Sequence, residues 1–252
     1  MAFHLTRYVN DSSVRNVEPG GTFTLGSTNS TLYTGEIDYT NIPSGAIGYW
    51  TIPLNTISVQ STPIALSGSA SYAAIDTGTT LLGGPSDVVA QIYSKIPGSA
   101  PGSGNYEGYY TYPCSTDVSV SLTFGTSNQS WPISPADFRL VAISDDTCVG
   151  ALFTLQSSGS GSTPSWIIGD TFLKNVYSVF RASPASVGFA QLSEVALGMN
   201  GANSPVPTPT LGTPAATVTS TSTSGSSRCL PGSIAISVIL SMVTIVGSIC
   251  AT

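Results

Sequence analysis

The segment AAIDTGTTLL, residues 73–82, places one aspartate between two apolar runs. A buried ionised carboxylate is costly unless it is paired or hydrogen-bonded, so Asp76 needs partners close by. Gly78 permits close backbone approach and presents an N–H group, and Thr77 and Thr79 add hydroxyl donors. Two interpretations follow. Asp76 either closes an Asx turn between core strands, or it is a catalytic acid held by these donors.

Other catalytic constellations have little support in the sequence. His4 is the only histidine, so any Ser-His-Asp or Cys-His set would have to use it. The chain has no Cys-x-x-Cys pair and its acidic residues are scattered, so we expect neither a metal nor a cofactor. A glycoside hydrolase would need two carboxylates across a cleft, which the sequence alone does not locate.

The composition points to a β-rich secreted protein. Charged residues make up 8% of the 252 residues, against roughly 25% in an ordinary globular protein. The net charge is -6 with only seven Lys and Arg residues, which argues against a nucleic-acid partner. Residues 1–196 contain short alternating runs such as VSVSLTFG, separated by turn residues. This pattern predicts an all-β domain.

Two helices are predicted within this domain. The first covers residues 85–96, capped by Ser86 or Asp87, with apolar residues at helical spacing. The second is short, with Ser134 as its cap and Pro135 at its first position.

Cysteines and sequons favour an oxidising compartment. A Cys114–Cys148 bridge would contribute roughly 3–4 kcal/mol in the chain-entropy model, and two buried free thiols are the alternative. Three Asn-X-Ser/Thr sequons are candidate glycosylation sites: Asn10, Asn29 and Asn128.

The C-terminal quarter has a different character. Residues 197–228 are rich in Ser, Thr and Pro, which predicts a disordered stalk. Residues 229–252 form an apolar segment whose uncharged part is near the lower limit of a membrane span, about 17–20 residues. Small residues precede it, so we interpret it as a GPI-attachment signal with the attachment site within residues 222–227. A retained single-pass helix and a buried core element are the alternatives.

The N-terminal end contains no apolar stretch of the kind that forms a secretory signal peptide. The sequons, cysteines and tail nevertheless favour the secretory pathway and the cell surface or cell wall. We therefore expect the natural N-terminus to lie upstream of Met1.

Ordered motifs over residues 1–194 resemble the second half of the pepsin-like aspartic proteases, and the tail resembles that of fungal GPI-anchored members. The motifs are YWTIPLNTISV, AAIDTGTTLLGGPSDVVAQIY, WIIGDTFLKNVYSVF and SVGFAQL. The resemblance implies that residues 1–196 form the C-terminal lobe of the bilobal acid protease fold.

In such enzymes each lobe donates one Asp, and the pair shares a proton because two close like charges cannot both ionise. The ionised member activates a water, which attacks the peptide carbonyl. The resemblance implies that Asp76 is catalytic and that Thr77, Gly78 and Thr79 support it or contact substrate. It also implies the Cys114–Cys148 disulfide.

Asp170 follows Gly169 in the closing motif and is interpreted as structural. The resemblance also implies that residues 167–169 form an apolar strand that crosses beneath the Asp76 turn.

The chain departs from the family pattern in having a single Asp-Thr-Gly. Three explanations remain open: a piece of a longer endopeptidase that lacks its first lobe, an inactive one-lobed binding or cell-wall protein, or a lobe that pairs with a second copy. The expected partners are a peptide or protein substrate, the missing lobe and, through the tail, a membrane.

Overall fold

The computed structural model describes residues 1–10, 18–45, 48–67, 71–157, 164–199, 201–204 and 217–218. These residues are mostly strands with a few short helices, which confirms the prediction of a single β-rich lobe. In chain order the elements are β1 (Ala2–Leu5), β2 (Tyr8–Asn10), β3 (Gly21–Thr24), β4 (Tyr33–Asn41), β5 (Thr51–Val59), β6 (Thr62–Ala65), β7 (Tyr72–Ile75), β8 (Leu82–Gly84), α1 (Ser86–Tyr93), β9 (Ala100–Pro101), a 3-10 turn (Gly104–Tyr106), β10 (Tyr110–Pro113), β11 (Val120–Phe124), β12 (Trp131–Ile133), α2 (Pro135–Phe138), β13 (Arg139–Ala142), β14 (Thr147–Gly150), β15 (Leu152–Thr154), β16 (Gln156–Ser157), β17 (Trp166–Ile168), α3 (Asp170–Leu173), β18 (Val176–Ala182), β19 (Ala185–Leu192), α4 (Glu194–Gly198), β20 (Gly201–Ser204) and β21 (Thr217–Val218).

The strands form three main sheets. The largest has the order β12-β11-β5-β7-β17-β8-β15, with β6 also paired to β5. A second sheet has the order β3-β1-β18-β19-β4, and a third β13-β14-β10-β9. Two further pairs are β2-β20 and β16-β21.

The main core is formed by side chains from the largest sheet and by the helices that cover it. Alternate residues of β11 are buried, as expected for a strand with one face in the core. Trp166 of β17, Val89 of α1 and Phe172 of α3 are fully buried in the same cluster. Burial of this apolar surface is the main stabilising contribution to the lobe.

Strand β17 determines the path of the chain around the candidate site. It lies between β7 and β8, parallel to the first and antiparallel to the second. Ile168 is opposite Ile75 on one side and Leu82 on the other. The residues that join β7 to β8 must therefore pass around the C-terminal end of β17.

The two predicted helices are present, with one correction. Helix α2 begins as predicted, because the Ser134 hydroxyl accepts a hydrogen bond from the Ala136 N–H (3.3 Å) and Pro135 follows. Helix α1 has Pro85 at its N-cap and no side-chain cap, so the prediction of a Ser86 or Asp87 cap was wrong. A proline at that position leaves the first N–H groups of α1 without a side-chain acceptor.

Cys114 and Cys148 form a disulfide with a Cα–Cα distance of 5.0 Å, which excludes the alternative of two free thiols. The bridge joins the end of β10 to β14, two neighbouring strands of the third sheet.

Most of the predicted stalk and all of the apolar C-terminal segment lie outside the described residues, so these predictions remain untested. Helix α4 extends two residues beyond the proposed boundary at residue 196, and β20 and β21 lie within the segment predicted to be a stalk. Among the described residues, no helix combines the length and the apolar character that crossing a membrane requires.

Candidate active site

The carboxylate of Asp76 is held by donors from its own turn. The backbone N–H of Gly78 donates to Asp76 Oδ1 (2.8 Å), and the Thr79 hydroxyl donates to Asp76 Oδ2 (2.7 Å). The first contact is an Asx turn, so that interpretation describes half of the observed geometry. The second contact is the additional side-chain donor expected if Asp76 is a catalytic acid held by hydrogen bonds. Each oxygen has one donor and retains capacity to accept another hydrogen bond.

The turn is anchored to β17 through the backbone. The Asp76 N–H donates to the Ile168 carbonyl (3.0 Å), and the Gly169 N–H donates to the Leu81 carbonyl (3.2 Å). The predicted crossing of residues 167–169 beneath the turn therefore agrees with the structure.

Helix α3 and the turn satisfy each other's backbone groups. The N–H groups of Asp170 and Thr171 donate to the carbonyls of Thr79 (2.8 Å) and Thr80 (2.9 Å). The first N–H groups of a helix have no intrahelical partner, so they need acceptors from outside it. Gly169 precedes α3 without a side-chain cap, and the carbonyls of the turn fill this role.

Two glycines allow this close approach. A Cβ on Gly169 would lie 2.0 Å from the Thr79 carbonyl oxygen, so no other residue fits between β17 and the turn. A Cβ on Gly78 would lie 3.2 Å from Asp76 Oδ1, a tighter contact than most Cβ atoms make. Gly169 therefore requires glycine, whereas a Cβ at Gly78 would require a small movement of Asp76 Oδ1.

The turn presents Asp76 to solvent at one rim of the lobe. Thr79 is buried (4% exposed), Asp76 is half-buried, and Thr77, Gly78 and Thr80 are exposed. Two surface cavities formed by described residues, of about 730 and 620 Å³, lie elsewhere beside Trp131, and Asp76 lines neither of them. The carboxylate is therefore half-buried beside exposed residues of its own turn.

Asp170 is a second carboxylate at the site. Burial raises the pKa of the Asp170 carboxyl to about 6, with a smaller contribution in the same direction from Asp76, while Lys174 acts to lower it. Oδ1 of Asp170 is buried and has no hydrogen-bond partner among the described residues. The interpretation of Asp170 as structural omitted this electrostatic contact with Asp76. Only its position after Gly169, beside the expected crossing, could have indicated it from the sequence.

The remaining candidates lie apart from the Asp76 turn. His4 is completely buried in β1, and burial lowers its pKa, an effect that the nearby Ala196 backbone partly offsets. Neither ring nitrogen makes a hydrogen bond of standard geometry within the described part of the chain. His4 is therefore unsuited to serve as an exposed catalytic base.

The sequons differ in their surroundings. Asn128 is exposed in the turn between β11 and β12. The Asn29 side-chain oxygen accepts hydrogen bonds from the Thr31 N–H (3.1 Å) and hydroxyl (2.7 Å). Asn10 ends β2, and the other two residues of its sequon lie outside the described residues.

Sequence comparisons agree with this geometry. The family described as "Eukaryotic aspartyl protease" matches residues 6–192. Major aspartyl peptidase 1 of Cryptococcus neoformans is 43% identical over 201 residues, which are 76% of this chain and 40% of that protein. Pepsin A of Sus scrofa is 33% identical over 179 residues, 71% of this chain and 44% of pepsin A. Human cathepsin D is 33% identical over 184 residues, 71% of this chain and 42% of cathepsin D.

The chain thus spans about two fifths of the length of these relatives. The matched region contains the Asp76 turn, the crossing strand β17 and the disulfide. With the β-rich lobe and the extent of the family match, the conclusion is that this chain belongs to the eukaryotic aspartyl protease family.

Proposed function

We propose that this chain supplies one of the two catalytic carboxylates of an aspartic endopeptidase, and that Asp76 is that carboxylate. The observation that carries the proposal is the state of Asp76. It is half-buried, has one donor on each oxygen, and forms no salt bridge among the described residues. A carboxylate so placed can accept a proton from a water molecule without first breaking an ion pair.

The second carboxylate comes from a first lobe that faces this one. Asp76 lies on a turn whose other residues are largely exposed, whereas proteolysis of a bound peptide needs a cleft that excludes water and positions the scissile bond. The chain spans about two fifths of its relatives' length, so a partner of comparable size is in keeping with the comparisons. The facing lobe would complete both the cleft and the carboxylate pair.

The proposed roles follow from the geometry of the turn. The Gly78 N–H and the Thr79 hydroxyl fix the orientation of Asp76, and each of its oxygens keeps one further acceptor site. Thr77 is exposed beside it and is assigned to contacts with the facing lobe or with substrate. In the reaction, the ionised carboxylate takes a proton from water as the water attacks the peptide carbonyl, and the protonated partner donates to the carbonyl oxygen.

The proposed location is the secretory pathway and the cell surface, with a GPI anchor attached within residues 222–227. The Cys114–Cys148 disulfide supports an oxidising compartment. Asn29 and Asn128 are the proposed glycan acceptors whose complete sequons are described. Release of the protein from membranes by a phosphatidylinositol-specific phospholipase would support the anchor, and resistance would favour a transmembrane helix.

The test uses a two-lobed protein in which this chain is joined to the first lobe of the Cryptococcus relative. Cleavage of an unfolded protein substrate is measured from pH 3 to pH 7, with and without a statine-type inhibitor. The proposal predicts acid proteolysis that the inhibitor blocks and that Asp76→Asn abolishes. Activity that survives Asp76→Asn would refute the assignment, and a folded but inactive two-lobed protein would favour a binding or structural lobe.

A further inference from the structure

A partly buried polar cluster is formed by Arg7, Asp137 and Asn175, of which Asp137 is buried and the other two are half-buried. Arg7 Nε donates to Asp137 Oδ1 (2.9 Å), and Arg7 Nη2 donates both to Asp137 Oδ2 and to Asn175 Oδ1, the latter at 2.8 Å. The Asp137 side chain is 2% exposed and that of Arg7 is 19% exposed. The residues are 130 and 168 positions from Arg7 in sequence, so the cluster joins three distant segments.

Asn175 forms hydrogen bonds with both other members of this cluster. Its Oδ1 accepts from Arg7 Nη2 (2.8 Å) and from the Ser134 N–H (3.0 Å). Its Nδ2 donates to Asp137 Oδ2 (2.9 Å) and to the Thr171 carbonyl (2.9 Å). A primary amide has two acceptor sites and two donor hydrogens, so the hydrogen-bonding capacity of Asn175 is fully used.

The cluster continues to the Asp76 turn through Thr171. The Thr171 carbonyl is bound by Asn175, while the Thr171 N–H (2.9 Å) and hydroxyl (3.1 Å) both donate to the Thr80 carbonyl. Thr80 directly follows Thr79, whose hydroxyl holds Asp76 Oδ2. An unbroken path of hydrogen bonds and one peptide link therefore connects Arg7 to the candidate catalytic carboxylate.

We propose that Asn175 is a positioning residue for the Asp76 turn, acting through Thr171 and Thr80, and that Arg7 and Asp137 fix its orientation. The importance of this role for catalysis rests on the proposed function, whereas the path itself does not. Helix α3 is only four residues long and has no side-chain cap, so it has little stability of its own. Side-chain bonds at its C-terminal end are needed to hold its first N–H groups against the turn.

The charged groups around α3 restrict which residue can occupy position 175. The groups that face the α3 region are Asp76 from the turn, Lys174 on α3, Asp137 on α2 and Arg7 from the segment after β1. Arg7 and Asp137 neutralise each other. A neutral amide at residue 175 therefore connects an ion pair to the Asp76 turn without adding charge close to Asp170.

The experiment measures backbone hydrogen exchange and the titration of the Asp170 carboxyl by NMR in the full chain, for the wild type and Asn175→Ala. The exchange of the Asp170 and Thr171 amides, which donate to the turn, should accelerate at least tenfold relative to the amides of β18. Water that enters beside α3 should lower the titration midpoint of Asp170.

Ser193→Ala is the matched control. The Ser193 hydroxyl is buried, donates to the Thr31 carbonyl (2.6 Å) and accepts from the Ala196 N–H (3.1 Å), at the start of α4. Its removal deletes buried hydrogen bonds without touching the path. Ser193→Ala should lower the melting temperature while leaving the exchange of Asp170 and Thr171 and the Asp170 midpoint unchanged.

Arg7→Lys keeps the charge but cannot make the paired contacts of a guanidinium, and it is used if Asn175→Ala does not fold. It should produce smaller changes at the same two amides and in the same carboxyl. Unchanged exchange and midpoint in a folded variant, or acceleration spread evenly over all amides, would overturn the proposal. None of these measurements uses proteolysis, so the inference and the proposed function can fail separately.

Discussion

Two acidic sites of this lobe, one buried at Asp137 and one half-buried at Asp76, lie close together but are built on opposite principles. Asp137 is bound by a guanidinium and an amide, with one donor on Oδ1 and two on Oδ2. Asp76 and Asp170 interact with each other, and Asp76 is held only by a hydroxyl and a backbone N–H. An acid fixed in an ion pair stabilises the fold, whereas Asp76 is held by neutral donors and has no ion pair to break among the described residues. Charge pairing therefore distinguishes Asp137 from the proposed catalytic acid.

The largest expected effect is the loss of proteolysis in Asp76→Asn. The amide keeps the shape of the side chain but cannot act as a base, and general base catalysis contributes roughly 10²–10⁴-fold. In a two-lobed protein we expect activity to fall by at least about 10³-fold, with the unfolding free energy little changed. A variant that loses activity only because it unfolds would fail to support the assignment, so urea unfolding is measured alongside.

Asp137→Asn, in contrast to Asp76→Asn, should cause a large loss of folding stability. The change leaves the Arg7 guanidinium, which is 19% exposed, without its counter-charge. Breaking a fully buried pair in this way costs about 3–5 kcal/mol, so partial exposure sets the expected loss at about 2–3 kcal/mol. The cost should be similar at pH 5 and pH 8, because the arginine remains charged throughout. Urea unfolding at both pH values measures it. A loss below about 1 kcal/mol would mean that the pair behaves like an exposed salt bridge.

Asp170→Asn should change the pH dependence of stability. The folded-state pKa is raised above its ordinary value of 3.8 to about 6, so the native state binds the proton more tightly than the unfolded chain. The stability contributed by the protonated form is present below about pH 3.8 and is lost as the pH rises through about 6. A pKa shift of this size changes the unfolding free energy by roughly 1–3 kcal/mol, once the partial exposure of Asp170 is allowed for.

The Asp170→Asn variant should therefore lose less stability than the wild type as the pH rises from 4 to 7. Urea unfolding at each pH measures this difference. Asp76→Asn provides the cross-check. Because the Asp76 carboxylate contributes to the raised pKa, its removal should lower the Asp170 midpoint observed by NMR. An unchanged midpoint would show that burial alone is responsible.

The smallest expected effect is that of Ser134→Ala. Its hydroxyl caps α2, the helix that carries Asp137, and loss of such a cap costs about 0.5–2 kcal/mol. The bond is long, at 3.3 Å, so a value near the lower end is expected. Thermal unfolding measures the loss, and Thr in place of Ser134 should restore most of it.

Local sequence signals predicted the parts of the site whose contacts are local. The donors to the Asp76 carboxylate lie two and three residues further along the chain. The N–H that bonds to the Ser134 cap of α2 lies two residues after it. Such contacts follow from residue type and spacing, although the Thr77 hydroxyl, predicted as a donor by the same reasoning, is exposed and makes no hydrogen bond to Asp76 in the described part of the chain. The family resemblance, carried by several motifs, extended the prediction to the crossing strand and the disulfide.

The sequence did not predict contacts between distant segments. Asp170 approaches Asp76 only because β17 inserts between β7 and β8, and the Arg7 cluster joins residues 130 and 168 positions apart. No periodicity marks either contact, and only the position of Asp170 after Gly169 points to the first of them. The predicted cap of α1 was wrong for a different reason. Ser86 and Asp87 lie within the helix, and Pro85 occupies the N-cap position.

The central claim is that Asp76 is one half of a catalytic pair whose other half comes from a facing lobe. The most direct measurement compares acid proteolysis by the chain alone with that of the chain joined to a first lobe, across pH 3 to pH 7. The account predicts no cleavage by the chain alone, inhibitor-sensitive cleavage by the two-lobed protein, and none after Asp76→Asn. Cleavage by the isolated monomeric chain, or by the two-lobed Asp76→Asn variant, would contradict it.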